Sequence, residues 1–487
     1  MSTSTTLFRP TVWLSALIVL ALWATLYLPG LGSLEIKGEE GRRILPAVRM
    51  LETGDFLVPK FGNKPYLRKP PLVNWLVAAS FKLTGCRNEW TARMPSVLSV
   101  LAVAFAFITV ARVSLGAGGS LMAALIWLTN FGMIEKGRLI EIEALYVSLF
   151  GLAIICWLSW WQERRSPWLT WTVPWIFLGL GLLAKGPLHL FFFYAVVLAV
   201  LFGARQLRSG AHLAHLAGII IMLGIFAAWA VPYWEVMRGV NLAQHWSAQL
   251  TGRLGGVDFA LGHWLQNIPR SLAYFVPWTL LLPLVCQAKF ATQAEANLSR
   301  VLLWSCVIPF LAVNLLPGAL PRYALPVLVP ASWLLAMTLS AQELRWPSWL
   351  GHKTLSPERR SSLVLQIAVV AGLLACLYAL FVVPRLQRRA KLKPIAAQID
   401  ALAPISEPLY AVDPDFQPYL FYVHRKLIYV SAVADVPPHA RYLLVQPANE
   451  REAEISAQWS LGRAQAVLHI KDYRGRKVII FRIGEEL

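Results

Sequence analysis

The stretch LEIKGEEGRRI, residues 34–44, sets two adjacent carboxylates beside two arginines directly after an apolar segment. A carboxylate can orient or deprotonate an attacking hydroxyl group, and Arg42 can bind a phosphate through charge-assisted hydrogen bonds. The alternative is structural, because acids also stabilise the N-terminus of a helix. Glu39 and Glu40 by themselves favour the structural role, so their chemistry depends on which other groups lie near them.

A second candidate lies in YLRKPPL, where Arg68 and Lys69 precede two prolines. The prolines interrupt a helix. The apolar LVNWLVAASF that follows is too short to span a bilayer and is typical of a helix lying along a membrane surface. Arg68 and Lys69 either extend their charged ends to the membrane interface or form a phosphate clamp there.

Three further turns between apolar runs carry ionisable side chains. They are KGRLIEIEALY with Lys136, Arg138, Glu141 and Glu143, GLLAKGPLH with Lys185 and His189, and GALPRYALP with Arg322 and Tyr323. Each charge alone is typical of a helix end. Ionisable groups near a membrane are nevertheless costly and tend to have partners or functions. If these turns share one side of the membrane, their acids and bases can form one site.

Long apolar runs must position these turns. Of the 487 residues 57% are hydrophobic and only 15% are charged, and the mean hydropathy is +0.54. These values predict a mainly α, polytopic bundle with about eleven to thirteen spans. The predicted centres lie near residues 20, 103, 126, 151, 177, 195, 222, 279, 309, 331 and 373. The first run, residues 11–29, lacks a clear cleavage site and predicts an uncleaved first span.

The net charge of +19 indicates orientation rather than nucleic-acid binding. A cytoplasmic N-terminus places most short basic loops in the cytoplasm, as the positive-inside rule requires. The candidate turns then face outward, together with residues 31–93, about 234–270, and the C-terminal region. The basic run after residue 384 breaks this pattern, which indicates either a misplaced span or a binding surface for anionic glycolipid phosphates.

The predicted domains are a membrane domain, residues 1–383, whose outer loop 31–93 carries the first motif, and an outer α/β domain, residues 384–487. The second domain is predicted from short runs rich in β-branched and aromatic residues and from two helical segments. The runs are PLYAVD, KLIYVSA, RYLLVQP, AVLHIKD and KVIIFRI, and the helical segments are KPIAAQIDALA and NEREAEISAQWSL.

Familiar soluble catalytic motifs are missing from the sequence. It has no P-loop, no GxGxxG after a strand, no HExxH and no GxSxG, so a nucleotide-fed soluble mechanism has no support. Four of the five cysteines lie in apolar runs, which disfavours a disulfide framework or a CxxC metal site. No metal site is therefore predicted from spacing.

Taken in order, the motifs resemble a known family. E-E-x-R is followed by GDFLVP, KPPLVNW, ARMPSVLSV, GLLAKGP, PWTLLLP and RYALPVLVP. This order is similar to that of the GT-C type polyprenyl-phosphate-sugar glycosyltransferases. Among these, the sequence looks most like the bacterial lipid A aminoarabinose transferases and their protein O-mannosyltransferase relatives. The resemblance covers residues from about 10 to 340 and is strongest over residues 35–100.

The resemblance implies an inverting transfer from a sugar on undecaprenyl phosphate to lipid A or another envelope acceptor. The reaction would take place at the periplasmic face of a bacterial inner membrane. Glu39 occupies the family's Asp position, Glu40 is the Glu that follows it, and Glu143 stands for the second acid, so the resemblance implies that these three are the catalytic residues. The implied substrate-binding and phosphate-binding residues are Arg42, Arg68, Lys69, Arg138, Lys185, Arg322 and Tyr323. The resemblance requires no cofactor, although an acid of the first loop could hold a divalent metal.

Two family Asp positions carry Glu here, and one extra methylene extends the carboxylate by about 1 Å. This change, with Arg43 at a position usually aromatic, leaves the sugar and the acceptor open. A protein O-mannosyltransferase acting on protein hydroxyls is the alternative enzyme. A lipid or sugar transporter is less well supported, because the charges lie at helix ends and no repeated halves are visible. A structural subunit that docks through its C-terminal domain is a third alternative.

Overall fold

The computed structural model describes residues 10–36, 38–241, 247, 259–345, 354–402, 405–414, 416–446, 464–471, 475 and 477–484. The chain divides into two compact units. We call them the membrane unit, residues 1–31, 68–72 and 94–380, and the loop unit, residues 32–67, 73–93 and 381–487. The loop unit therefore combines most of the segment 31–93 with the C-terminal region.

Long apolar helices build the membrane unit. Within the described residues, eight helices are long and apolar enough to cross a membrane, or nine if one bent pair counts as a span. The eight are Glu89–Thr109, Arg112–Thr129, Ile142–Gln162, Pro167–Ala184, Leu213–Val236, Gln293–Asn314, Pro321–Leu339 and Pro357–Gln387. Val12–Tyr27 and Leu188–Gly203 are also apolar but have only 16 residues each.

All the predicted span centres fall within helices of the described chain, so the prediction of a polytopic helical bundle is confirmed. The count differs because two of the predicted spans are helices of 16 residues. At 1.5 Å per residue, such a helix is about 24 Å long, which is less than the hydrocarbon thickness of a typical bilayer. The short elements of this unit are Phe131–Gly137, Leu207–Ala211, Leu261–Leu265, Asn267–Ala273, Trp278–Gln287, Ala288–Lys289 and Glu343–Leu344.

Buried tryptophans fill the centre of this unit, and the indole N–H of several of them donates a hydrogen bond. The indole N–H of Trp127 donates to the carbonyl of Val100 at 2.9 Å, and that of Trp278 donates to Thr129 Oγ1 at 3.0 Å. A large ring buries much apolar surface, whereas an unpaired N–H in such surroundings is costly. These hydrogen bonds therefore let bulky side chains fix the helices against one another.

One predicted span is a bent pair. Segments Leu261–Ala273 and Trp278–Gln287 meet at 77°, and Pro277 lies at the bend, where it cannot continue a helical hydrogen-bond ladder. The carbonyls of Tyr274 and Val276, which the bend releases, accept the backbone N–H groups of Gly132 and Phe131 at 2.7 and 2.9 Å. Irregular backbone at membrane depth needs such partners.

The loop unit combines helices with a small sheet. Its first part contains the turn Gly38–Glu40, the helix Gly41–Thr53, the hairpin strands Lys60–Phe61 and Lys64–Pro65, and most of the helix Leu72–Thr84. The C-terminal part contains the helices Val383–Gln387 and Leu392–Ala401 and the short turns Pro418–Tyr422 and Val433–Asp435. Helix Leu72–Thr84 matches the predicted interfacial segment, whose position at a membrane surface stays a prediction.

A five-stranded mixed sheet forms the core of the C-terminal part. Its spatial order is Leu427–Val430, Leu409–Val412, Tyr442–Val445, Lys477–Ile483 and Ala464–Lys471. The first three strands are parallel, and the last two are joined in antiparallel pairs. All five predicted strands are present, so the predicted α/β region is confirmed. The predicted helix 449–461 lies outside the described residues.

Candidate functional site

Glu39 and Glu40 lie in a single 3₁₀ turn, Gly38–Glu40, which leads into helix Gly41–Thr53. Gly38 has a φ of +44°, a conformation that side chains disfavour, so glycine suits the start of this turn. Gly41 lets the ring of Phe416 approach, because a β-carbon there would lie 2.9 Å from it. The two glycines thus permit a tight turn that separates the environments of the adjacent carboxylates.

Glu40 is buried in an ion pair. Its two carboxylate oxygens accept from Arg93 Nε at 2.8 Å and Arg93 Nη2 at 2.9 Å, and both side chains are almost fully covered. Arg93 also donates to the backbone carbonyl of Leu34 at 2.9 Å. A bidentate, hydrogen-bonded pair is the arrangement that makes two buried charges tolerable. Glu40 therefore fixes the turn, and its carboxylate faces the protein interior.

Glu39 has the opposite environment. Its side chain is 39% exposed, and its oxygens accept from Arg42 Nη1 at 2.7 and 2.9 Å. Arg43 Nη2 lies 4.0 Å from the same carboxylate. Arg42 also lies over the ring of Phe416, 5.3 Å from its centroid. Glu39 is thus an oriented carboxylate that solvent and a substrate can reach.

Arg43 is held by its own partners. Its Nη1 donates to the hydroxyl of Tyr66 at 2.9 Å, and its guanidinium lies over the Tyr66 ring. The Arg43 carbonyl accepts from Asn74 Nδ2 at 2.8 Å. This residue, at a position usually aromatic in the resembling family, therefore packs on an aromatic ring and fixes the helix that follows the two acids.

In the membrane unit, three of the predicted side chains meet at one carboxylate oxygen. Lys185 Nζ and Arg322 Nε each lie 3.3 Å from Glu143 Oε1. Glu143 and Lys185 are largely covered, and Arg322 is 30% exposed. The Glu141 carboxylate also acts on Lys185 and Arg322 electrostatically, so two cations and two carboxylates lie close together here. Cations that carboxylates hold in place can bind a further anion, such as a phosphate, through charge-assisted hydrogen bonds.

Lys185 lies between two aromatic rings. Its Nζ is 5.1 Å from the centroid of Tyr146 and 4.9 Å from that of Tyr323, distances at which the ring faces attract a cation. Burial lowers the pKa of Lys185 below its ordinary value of 10.5, and Arg322 lowers it further, while the Glu143 carboxylate opposes both. The ammonium is therefore easier to deprotonate than an exposed lysine.

The turn that carries Lys185 is fixed by hydrogen bonds to its backbone. The Tyr146 hydroxyl donates to the Gly186 carbonyl at 3.2 Å and accepts the backbone N–H of His189. The His189 ring lies between two carbonyl acceptors, with Nε2 2.9 Å from the Leu178 oxygen and Nδ1 3.0 Å from the Gly186 oxygen. A β-carbon at Gly181 would lie 2.7 Å from Nε2, so glycine makes room for the imidazole.

The neighbouring turn contains a second set of ion pairs. Lys136 Nζ lies 2.9 Å from Glu135 Oε1 and 3.2 Å from Glu141 Oε2. Burial raises the pKa of the Glu141 carboxyl, and the Lys136 ammonium opposes this effect. Arg138 donates to the carbonyls of Leu26, at 2.5 Å, and Pro29. Arg138 thus hydrogen-bonds the C-terminal end of the first helix, where carbonyls lack helical partners.

The structure distributes the predicted site residues over both units. Glu39, Glu40 and Arg42 lie in the loop unit, whereas the others lie in the membrane unit, where Arg68 is exposed and Lys69 is half-buried. The residues in the membrane unit are Arg68, Lys69, Arg138, Glu143, Lys185, Arg322 and Tyr323. Within the described part of the chain, no group of three His, Cys, Asp or Glu residues could hold a metal ion.

Sequence reasoning missed two residues that position these groups, Arg93 and Tyr146, and it predicted His189 in the Lys185 turn without a role in the site. Arg93 stands in ARMPSVLSV, a motif that was noted for its order along the chain and not for its charge. An arginine at the start of an apolar span is a signal in itself, because a charge there needs a partner. Tyr146 carries no comparable signal, since a polar aromatic residue in an apolar helix predicts no particular contact.

The chain has the fold of a polytopic membrane protein with a small C-terminal sheet. It is similar to the solved structure of ArnT from Cupriavidus metallidurans bound to undecaprenyl phosphate, with a TM-score of 0.67 and 18% identity. The match covers 96% of this chain and 97% of that one. The apo structure of the same protein gives a TM-score of 0.66 at 19% identity. At these identities, the likeness concerns the fold.

Sequence comparisons agree with this likeness. The family model described as dolichyl-phosphate-mannose-protein mannosyltransferase matches residues 68–232. Two similar curated relatives are undecaprenyl phosphate-α-4-amino-4-deoxy-L-arabinose arabinosyl transferases, from Pseudomonas fluorescens, 25% identical over 62% of this chain, and Edwardsiella ictaluri, 27% identical over 66%. The chain spans about half the length of these relatives, 55% and 58%. The family resemblance that the motifs indicate is therefore confirmed.

Proposed function

We propose that the chain is an inverting glycosyltransferase of the periplasmic face of a bacterial inner membrane. It transfers a sugar, an aminoarabinose-like pentose or a hexose, from undecaprenyl phosphate to lipid A or a related envelope glycolipid. The observation that carries this proposal is the shared contact of Lys185 and Arg322 with Glu143. A covered lysine and a partly exposed arginine, held together by one carboxylate, suit a lipid phosphate, which is the leaving group of such a donor.

The reaction forms one bond and breaks one. An acceptor oxygen attacks the anomeric carbon of the donor sugar, and the bond from that carbon to the phosphate oxygen breaks, so undecaprenyl phosphate leaves and the configuration inverts. Negative charge on the phosphate grows during this step. Lys185 and Arg322 stabilise that charge, Glu143 holds both cations in place, and Arg68 and Lys69 bind the donor headgroup at the membrane surface.

Glu39 is assigned to the acceptor. Its exposed carboxylate is oriented by Arg42, 2.7 Å away. A carboxylate that receives a proton from an acceptor, or positions it, needs both exposure and a fixed orientation. Glu40 is assigned a positioning role, because both its oxygens are engaged by Arg93. A phosphate acceptor is already nucleophilic at neutral pH and needs only positioning, whereas a hydroxyl acceptor needs a base.

A protein acceptor is the second candidate. The match of residues 68–232 to the mannosyltransferase family model favours it, while the names of the curated relatives favour a glycolipid acceptor. The two candidates differ in the nucleophile, which is a serine or threonine hydroxyl in one and a lipid A phosphate in the other.

Mass spectrometry of the cell envelope tests the proposal. Cells with and without the protein, both supplied with the donor lipid, should differ by the mass of one sugar on lipid A or a related glycolipid. The same mass on protein would select the second candidate. No difference on any glycoconjugate, with the donor present, would contradict the transferase assignment.

Variants of the purified chain in lipid nanodiscs test the role of Glu39. Glu39→Gln should lower turnover with a hydroxyl acceptor by about 100-fold or more, the usual contribution of a general base, and by less with a phosphate acceptor. Glu52→Gln is the matched control, because Glu52 lies on the adjoining helix and is equally exposed, at 38%. Wild-type turnover of Glu39→Gln with every acceptor would refute the assignment.

A further inference from the structure

Three residues shortly before the Glu39 turn are held by residues distant in sequence: Leu34 by Arg93, and Glu35 and Ile36 by the C-terminal part of the loop unit. Ile36 is 1% exposed, and each of the three uses a backbone or side-chain group to contact a residue distant in sequence. Gly38, the first residue of the turn, has a positive φ. Because glycine has no side chain, it has little intrinsic preference for this or any other single conformation. The geometry of the turn thus depends on what holds this segment.

Glu35 caps a distant helix. Its carboxylate accepts the backbone N–H groups of Lys391 at 2.8 Å, Leu392 at 2.9 Å and Lys393 at 3.3 Å. These belong to the start of helix Leu392–Ala401, where N–H groups lack partners within the helix and the dipole favours an anion. A side chain 356 residues earlier in the chain therefore serves as the cap.

Tyr422 is the second connection. Its hydroxyl accepts the backbone N–H of Ile36 at 2.8 Å and donates to Glu89 Oε1 at 3.0 Å. Lys393 Nζ lies 2.6 Å from the same Glu89 oxygen and 5.3 Å from the centroid of the Tyr422 ring. Burial and the Glu89 carboxylate raise the pKa of Tyr422 well above its ordinary value, so the hydroxyl keeps the proton that it donates.

Arg93 completes this network from the other side of the segment. It donates to the carbonyls of Leu34 and Glu35 at 2.9 and 3.3 Å and to the Glu40 carboxylate. The Arg93 guanidinium therefore holds both the backbone of Leu34 and Glu35, which precede Glu39, and the side chain of Glu40, which follows it. A displacement of the segment moves the turn, and a misplacement of about 1 Å at a reacting group can cost 100-fold in rate.

We propose that Tyr422, together with Glu35 and Lys393, is a positioning residue that orients the Glu39 turn from the C-terminal domain. The predicted effect of Tyr422 on the reaction rate rests on the proposed function. The predicted effect of Tyr422 on the geometry of the turn does not depend on that function. The C-terminal domain then contributes to turnover through the loop that it holds.

Hydrogen exchange of the full chain in nanodiscs, without substrate, tests the positioning. Tyr422→Phe removes the hydroxyl and keeps the ring, so amide exchange over residues 34–43 should rise by about tenfold. Tyr410→Phe is the matched control, because it deletes a buried hydroxyl bonded to His439 in the same unit. Exchange in Tyr422→Phe equal to that of the control would overturn the proposal.

Kinetics test the consequence for the reaction. Tyr422→Phe should lower kcat by roughly tenfold with little change in the KM of the donor lipid. Glu35→Gln, which keeps one acceptor oxygen for the helix cap, should lower kcat less than Glu35→Ala. Faster exchange with an unchanged kcat would overturn the link to turnover. A wild-type chain that transfers no sugar would refute the proposed function, and the exchange measurement would still decide the positioning.

Discussion

The adjacent acids Glu39 and Glu40 should lose very different amounts of stability on the same substitution. Glu40→Gln leaves the Arg93 guanidinium, 2% exposed, without its carboxylate. Breaking a buried pair by removing one partner costs about 3–5 kcal/mol. Glutamine keeps one acceptor oxygen, so we expect a cost near the lower limit, about 3 kcal/mol. Glu39→Gln should cost about 0.5 kcal/mol or less, because exposed ion pairs contribute little.

A cost of about 3 kcal/mol corresponds to a roughly 100-fold larger opening constant, since each 1.4 kcal/mol is tenfold. Hydrogen exchange of peptides over residues 38–53 should therefore show a loss of protection of that size in Glu40→Gln and nearly wild-type protection in Glu39→Gln. Activity should rank the two variants differently, because Glu39→Gln removes the acceptor carboxylate and leaves the turn intact.

A double variant tests whether the pair itself is responsible. In Glu40→Gln/Arg93→Gln, two neutral amides replace the charges, so the loss of protection should be smaller than the sum of the two single losses. Equal protection in Glu40→Gln and Glu39→Gln would refute this reasoning, and so would additive losses in the double variant.

Two other predictions follow from the membrane unit. If protonated Lys185 stabilises the leaving phosphate, activity should fall as the pH rises through the pKa of Lys185, which lies below the ordinary 10.5. Lys185→Arg should abolish this alkaline fall in a pH–rate profile, because arginine stays protonated. If the alkaline fall in activity were the same in Lys185→Arg, it would belong to another ionisable group. Gly218→Ala should destabilise the packing of helix Leu213–Val236 against helix Pro167–Ala184, because its β-carbon would lie 2.0 Å from the Trp171 carbonyl oxygen. Gly224→Ala lies on the same helix with open space around it, so it should be neutral or stabilising. Thermal unfolding in detergent compares the two alanine variants, and equal midpoints would contradict the packing argument.

Much of the fold could be predicted from the sequence, because the features that define it are local. A run of apolar residues is helical and buried in a bilayer whatever lies elsewhere in the chain. The alternating pattern of a short strand such as KVIIFRI likewise depends on near neighbours. The bend at residues 274–277 is different, because its released carbonyls find partners on residues 131 and 132. A window of twenty residues around residue 279 looks like any other span.

The candidate site was predictable as a set of residue types, and its division of roles was not. LEIKGEEGRRI by itself determined that two carboxylates stand in one turn beside two arginines. Only the tertiary structure decided that Glu40 is covered and Glu39 is exposed, because the partner that covers Glu40 is Arg93, 53 residues further along. The same holds for Glu143, whose Oε1 is shared by cations from two distant turns. Charge and spacing can be read along a chain, but burial and pairing arise only when distant segments pack together.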